Sequence, residues 1–174
     1  MKLKNGLELQ ITPAQKEDSP KLLEYLNIVG GESHNLSFGK DGIKISVEDE
    51  AKFIESMENS NISKMFVAKI DGEIVGVSNI NSSPKARLKH NGEIGVSVKK
   101  AYWSLGIAGF MMENLINFAK ANNTTEVIHL SVISDNEKAI ALYEKFGFGK
   151  IGLYKKYTKI NDIYYDAILM NKYL

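Results

Sequence analysis

Apolar and polar positions alternate over residues 7–12 and predict a first strand, with Pro13 and Asp18 as punctuation after it. From 21 to 29 the period lengthens, and Leu22, Leu23, Leu26 and Ile28 recur at near-helical spacing. Residues 30–42 hold four glycines and predict a loop. The Ser46 hydroxyl can accept from an otherwise unpaired amide, which predicts an N-cap for a helix running to Met57. Residues 64–70 and 73–80 flank Asp71-Gly72, a pair suited to the positive φ of a two-residue hairpin turn. A polar stretch with Pro84 then predicts a loop before alternation returns over 93–98, with Ile94, Val96 and Val98 on one face. Beyond Gly106, the residues Ile107, Phe110, Met111, Leu115 and Phe118 form a helical stripe. Residues 127–133 are rich in β-branched side chains and predict a strand. Ser134-Asp-Asn-Glu137 has the spacing of a capping box, and Gly147 is placed to end the helix that would follow. Two last strands, 151–157 and 164–170, bracket an Asn161-Asp162 turn.

Hairpins beside strand–helix–strand units predict an α/β (α+β) fold. Its centre would be a mixed, mostly antiparallel sheet of about seven strands flanked by about four helices. No repeat, long linker or low-complexity run divides the chain, so residues 1–174 are expected to form one domain.

Composition removes several function classes. Lys and Arg total 22 against 21 Asp and Glu, a net charge of +1 that points away from nucleic acid or an anionic membrane as main partner. The lack of cysteine excludes disulfides, thiolate metal sites and a cysteine nucleophile. His34, His90 and His129 have no ligand-like spacing, so no metal is expected. The opening MKLKNGLELQ has no apolar signal run, and no stretch reaches the ~18 apolar residues of a membrane helix, so a cytoplasmic location is expected.

Two stretches carry candidate chemistry. In EIGVSVKKAYWSLGIAG, residues 93–109, a strand leads through a tight loop to Gly106, Ala108 and Gly109 at the start of a helix. Small residues there let a ligand approach backbone closely, and unpaired first-turn amides suit a pyrophosphate. The same composition also suits a helix packed closely on its neighbours. In SDNEKAIALYEKFGF, residues 134–148, Asn136 and Tyr143 stand seven apart and share one helix face. An amide and a phenol so placed can serve a ligand, or can be a first-turn polar residue and a core aromatic. A third pattern, Gly147-x-Gly149-x-x-Gly152, spells a dinucleotide fingerprint, but it follows a helix and enters a strand, the reverse of the required context.

Taken together, Trp103-Ser-Leu-Gly106-Ile-Ala108 and Asn136-x-x-Ala139-x-x-Leu142-Tyr143 followed by Gly147-Phe148 resemble the GNAT superfamily of acyl-CoA-dependent N-acyltransferases. The branch resembled is that of ribosomal-protein and spermidine acetyltransferases. Trp103 departs from the Gln or Arg usual at its position. The resemblance implies acetyl-CoA as co-substrate, its pantetheine arm paired with the backbone of Val96, Ser97 and Val98. It implies a pyrophosphate held by Trp103, Ser104, Leu105, Gly106, Ile107, Ala108 and Gly109, with Asn136 and Tyr143 completing the cofactor site. The amine would attack the thioester directly, with Tyr143 as general acid and Glu93 as candidate base. The acceptor implied is a small-molecule amine, a polyamine or a protein or peptide N-terminus, in a pocket shaped by the first two helices and the 30–42 loop; the late tyrosines Tyr154, Tyr157, Tyr164 and Tyr165 suit that pocket and suit strand formation equally. A monomer or a homodimer is compatible. A catalytically idle acyl-CoA sensor or scaffold and a nucleotide-binding protein are the other readings.

Overall fold

The hairpin signal at Asp71-Gly72 sets the sheet in place. Both residues take positive φ, 49° and 78°, and the strands they join pair antiparallel. A computed structural model describes residues 1–174. Its elements are β1 (Gln10–Pro13), α1 (Ser19–Gly30), α2 (Val47–Glu58), β2 (Lys64–Ile70), β3 (Glu73–Ser82), β4 (Asn91–Val98), α3 (Ile107–Ala121), β5 (Val127–Ile133), α4 (Glu137–Lys145), β6 (Gly149–Ile160) and β7 (Ile163–Tyr173). One seven-stranded sheet runs β1-β2-β3-β4-β5-β7-β6, antiparallel except between β4 and β5. No helix is long and apolar enough to cross a membrane.

The two sheet faces carry separate cores. Met112, Leu115 and Ile116 of α3 and Ile140 of α4 pack on Ile80, Ile94, Ile128 and Leu130. On the opposite side Leu22, Tyr25 and Leu26 of α1 and Ile54 of α2 pack on Val67 and Val77. Ser46 caps α2 as expected, its hydroxyl accepting from the Asp49 amide at 3.0 Å.

Three expectations are corrected. The first strand begins later, at Gln10, because Leu3 and Leu9 turn into a small core of their own beside Ile70, Val75 and Met111. The helix after β5 is capped by Asn136 rather than by Ser134. The Ser134 amide is still committed to the sheet, donating to the Asp166 carbonyl at 2.9 Å, so the helix opens two residues later with Asn136 Oδ1 accepting from Ala139. The last hairpin is longer than its apolar pattern, because β6 is an almost wholly exposed edge strand whose lysines carry no inward face.

Gly30 closes α1 where the following loop folds back. A Cβ there would collide with the Gly39 carbonyl oxygen and stand 2.9 Å from the Phe38 ring. Gly→Ala in a helix ordinarily stabilises by up to ~1 kcal/mol. At this position Gly30→Ala is expected to destabilise by about 1–3 kcal/mol, or roughly 3–10 °C in Tm, through overpacking. A thermal melt showing an unchanged or higher Tm would contradict the close return of the loop.

Candidate active site

β4 and β5 pair in parallel over only three positions, Asn91 with Val127, Gly92 with Ile128 and Glu93 with His129, and then part. The edge of β4 beyond Glu93 therefore has no strand partner. The Lys99 amide donates to Val75 in β3 at 2.9 Å, so strand alternation turns the N–H and C=O of Val96 and Val98 toward the open edge. The indole N–H of Trp103 donates to the Val98 carbonyl at 2.7 Å. Both polar groups of Val96 and the Val98 amide remain for a ligand.

The chain then turns through Lys100–Tyr102 into a loop with two left-handed residues, Ser104 (φ 64°) and Gly106 (φ 85°), directly before α3. None of the amides of residues 104–109 donates to a backbone carbonyl, and no side chain caps α3. Consecutive unpaired amides at a helix start form an anion site. A Cβ on Gly109 would meet no protein atom within 4 Å, so the space before it is open. The side chain of Leu105 packs instead against the core beneath Ile107 and Met111.

Loop, β4 edge and α4 enclose a cavity of about 610 Å³. Asn136 and Tyr143 line it from α4, as does Lys138, whose flexible ammonium no motif singled out. Asn136 spends its carbonyl oxygen on the helix cap and keeps its NH₂ for a ligand. Tyr143 is 9% exposed and lies against Phe148, with ring centroids 5.9 Å apart. Burial pushes its phenol up to about 12.

The far wall comes from the other sheet face: Val29 at the end of α1, then Glu32, Ser33, Asn35 and Leu36. The cavity thus passes through the split. Sequence patterns alone could not find these residues, because a loop without periodicity or motif carries no register. Glu93 is exposed and outside the cavity lining. It belongs to a polar row across four strands, Asn81–Glu93–His129–Asn171, on the α1/α2 side. Tyr165 is half-buried, whereas Tyr154, Tyr157 and Tyr164 are exposed. Gly147 ends α4 and Gly149 and Gly152 lie in β6, so the fingerprint-like glycines precede no helix.

Comparison with known proteins agrees with this geometry. The profile of the Acetyltransferase (GNAT) family matches residues 34–148. The L-amino acid N-acetyltransferase AaaT of Escherichia coli is 35% identical over 107 residues, 62% of this chain and 66% of that protein, just under two thirds of its length. An N-alpha-acetyltransferase of Sulfurisphaera tokodaii is 27% identical over 96% of this chain and 94% of its own. Among solved structures, an acetyltransferase of the GNAT family from Streptococcus pneumoniae superposes with a TM-score of 0.94 at 29% identity, covering 96% of this chain and all of that one.

The open space before Gly109 gives a test of the anion site. Gly109→Val is expected to keep a cooperative melt while raising the Kd for acetyl-CoA at least about tenfold. Quenching of Trp103, the chain's single tryptophan, would report that binding. Unchanged affinity would mean that the ligand does not use the start of α3.

Proposed function

The chain belongs to the acetyltransferase (GNAT) family, and from that premise we propose that residues 1–174 act as one domain carrying an acetyl group from acetyl-CoA to a primary α-amine. The observation that carries this reading is the run of unpaired amides at residues 104–109, at one end of a cavity reached from both faces of the sheet. Those amides would hold the pyrophosphate, Val96 and Val98 the amide-bearing arm, and the Asn136 NH₂ a carbonyl along it. Acetyl-CoA supplies a thioester: the amine nitrogen bonds to its carbonyl carbon, the carbon–sulfur bond breaks, nitrogen loses one proton and sulfur gains one.

Tyr143 serves in this reading as the hydrogen-bond donor at the departing sulfur. With its phenol held near 12 it stays protonated throughout the neutral range. A thiol has a pKa near 8.5, so full proton transfer from such a phenol is uphill by roughly 5 kcal/mol in the ligand-free site. Donation into growing negative charge on sulfur, with the proton drawn across as the product leaves, fits that mismatch better than early transfer.

Removing the amine's proton is the harder half. An alkylamine near pKa 10.4 is neutral about one part in a thousand at pH 7.4, a handicap of roughly 4 kcal/mol, whereas an α-amine near 7.7–8.0 forfeits less than about 1 kcal/mol. The single carboxylate lining the cavity, Glu32, accepts the Lys100 amide at 2.7 Å. Glu93 is exposed and lies outside the cavity lining. A site so short of base suits an α-amine. The polar row on the α1/α2 side, with Asn79, Ser97 and Ser131 beside it, holds no Lys or Arg to meet a free amino acid's carboxylate, and the one cation lining the cavity, Lys138, stands on the α4 side. That favours a peptide N-terminus.

Thiol release from acetyl-CoA, measured against peptides, free amino acids and polyamines, is expected to be fastest with a peptide α-amine. Tight acetyl-CoA binding without turnover on any amine would favour a sensor instead. Tyr143→Phe is expected to lower kcat about 10²-fold with acetyl-CoA affinity within about twofold. Because the folded-state phenol sits above its usual value of 10, the stability it confers is complete below about pH 10 and is lost as pH climbs toward 12. An alkaline fall in kcat below pH 10 therefore belongs to another group, and Tyr143→Phe should not remove it.

A further inference from the structure

Residues 31–46 join α1 to α2 without helix or strand, yet Glu32, Ser33, Asn35 and Leu36 build one whole wall of the cavity. Such a segment needs tethers to hold a wall in place. Its C-terminal part is anchored by Leu36 and Phe38 against the α1/α2 core. Its N-terminal part crosses the gap between β4 and β5 and is tied to both banks. Glu32 accepts the amide of Lys100, just past the end of β4, at 2.7 Å. Two residues on, His34 Nε2 meets both carboxylate oxygens of Asp135, just past the end of β5, at 3.0 and 3.1 Å. The His34 ring also stacks on Tyr165 of β7, with centroids 4.6 Å apart and planes 23° from parallel. Within residues 32–36 the strap's own bond is the Asn35 amide donating to Ser33 Oγ at 3.3 Å, and Asn35 Oδ1 is buried without a partner.

We propose that His34 is a positioning residue for the acceptor, its imidazole pinning the cavity-lining strap across the split between β4 and β5. The proposal rests on the acetyltransferase reading only for its kinetic consequence. The Nε2–H of the imidazole can donate to the Asp135 carboxylate without the ring being charged, so the tether is a hydrogen bond first. With His34 in place, the conformational entropy of residues 32–36 is given up on folding. Without it, that ordering falls on acceptor binding and weakens it. Asp135 adjoins Asn136, so the same contact ties the acceptor wall to the helix that holds the cofactor arm, while His34 lies outside the cavity lining.

Steady-state kinetics and hydrogen exchange on the full chain test this together. His34→Ala is expected to raise KM for a peptide acceptor about three- to tenfold, given an exposed hydrogen bond to a carboxylate plus one aromatic stack. KM for acetyl-CoA should stay within about twofold and kcat should move less than the acceptor KM. Amide exchange should rise in residues 31–36 and not in β4 or α4. His34→Gln keeps an N–H donor for Asp135 without the stacked ring, and should recover part of the acceptor KM. An acceptor KM that does not move, a parallel rise for acetyl-CoA, or exchange that rises throughout the sheet would each overturn the assignment. If the unaltered protein turned over no amine, the acetyltransferase reading would fall by itself, and exchange in residues 31–36 would still decide for or against the tether.

Discussion

A sheet whose strands pair along their full length leaves no backbone group in its interior free for a ligand. Here the pairing of β4 with β5 stops after Glu93 and His129, while β4 continues against β3 and β5 continues against β7. The break costs only a few bonds of the slightly weaker parallel type. It leaves Val96 and Val98 with polar groups that must find partners outside the sheet, and it opens a passage from one helical layer to the other. The remaining elements of the site are arranged around that passage: the anion loop at one end, α4 along one side, the strap of residues 32–36 along the other.

Polarity in the passage comes mainly from fixed dipoles. A helix start alone contributes about 0.3–1 kcal/mol, up to ~2 when partly buried, which is too little to hold a pyrophosphate. The several unpaired amides of residues 104–109 would multiply that for a bound pyrophosphate without requiring a buried cation, and Lys138 on α4 would add a flexible charge. Trp103 fits the same logic. Its indole satisfies the Val98 carbonyl and ties the anion loop to the strand that would bind the arm. A side chain that works through that bond can replace the Gln or Arg usual at its position without the backbone site being lost.

Much of this was legible in the chain. Periodicity, turn and cap signals and β-branched content together found every strand and helix, and the bounds of β2 and β5 coincide with those expected, because both strands are buried between layers and their apolar content is unambiguous. Legibility failed where packing gives no pattern. β6 lies exposed at the sheet edge, so its length follows from pairing with β7 rather than from its own residues. Ser134 has the spacing of a cap, yet the last bond of the sheet claims it, and only the three-dimensional course of β7 reveals this. At the site, the glycine loop and the α4 face could be marked in advance because each is a short-range pattern. Glu32 and His34 could not, since their partners Lys100 and Asp135 lie 68 and 101 residues away. Glu93, singled out for its strand, proved to sit in the paired part of β4, before the split.

The proton inventory of the passage links its two halves. Burial between α4 and the sheet raises the Tyr143 phenol, and the same poor solvation would raise any thiol forming nearby, offsetting part of the gap between a phenol near 12 and a thiol at its ordinary value. The acceptor half has the opposite character, with an exposed carboxylate and a row of amides and hydroxyls in contact with water. In the proposed reaction a proton would leave the amine by that wet face while sulfur would take one from the dry face, so neither group would have to cross the sheet. The split makes this division possible, because it puts the two faces in contact only along the open edge of β4. An enzyme arranged in this way has little need of a buried base, provided its acceptor arrives with an amine already near neutrality.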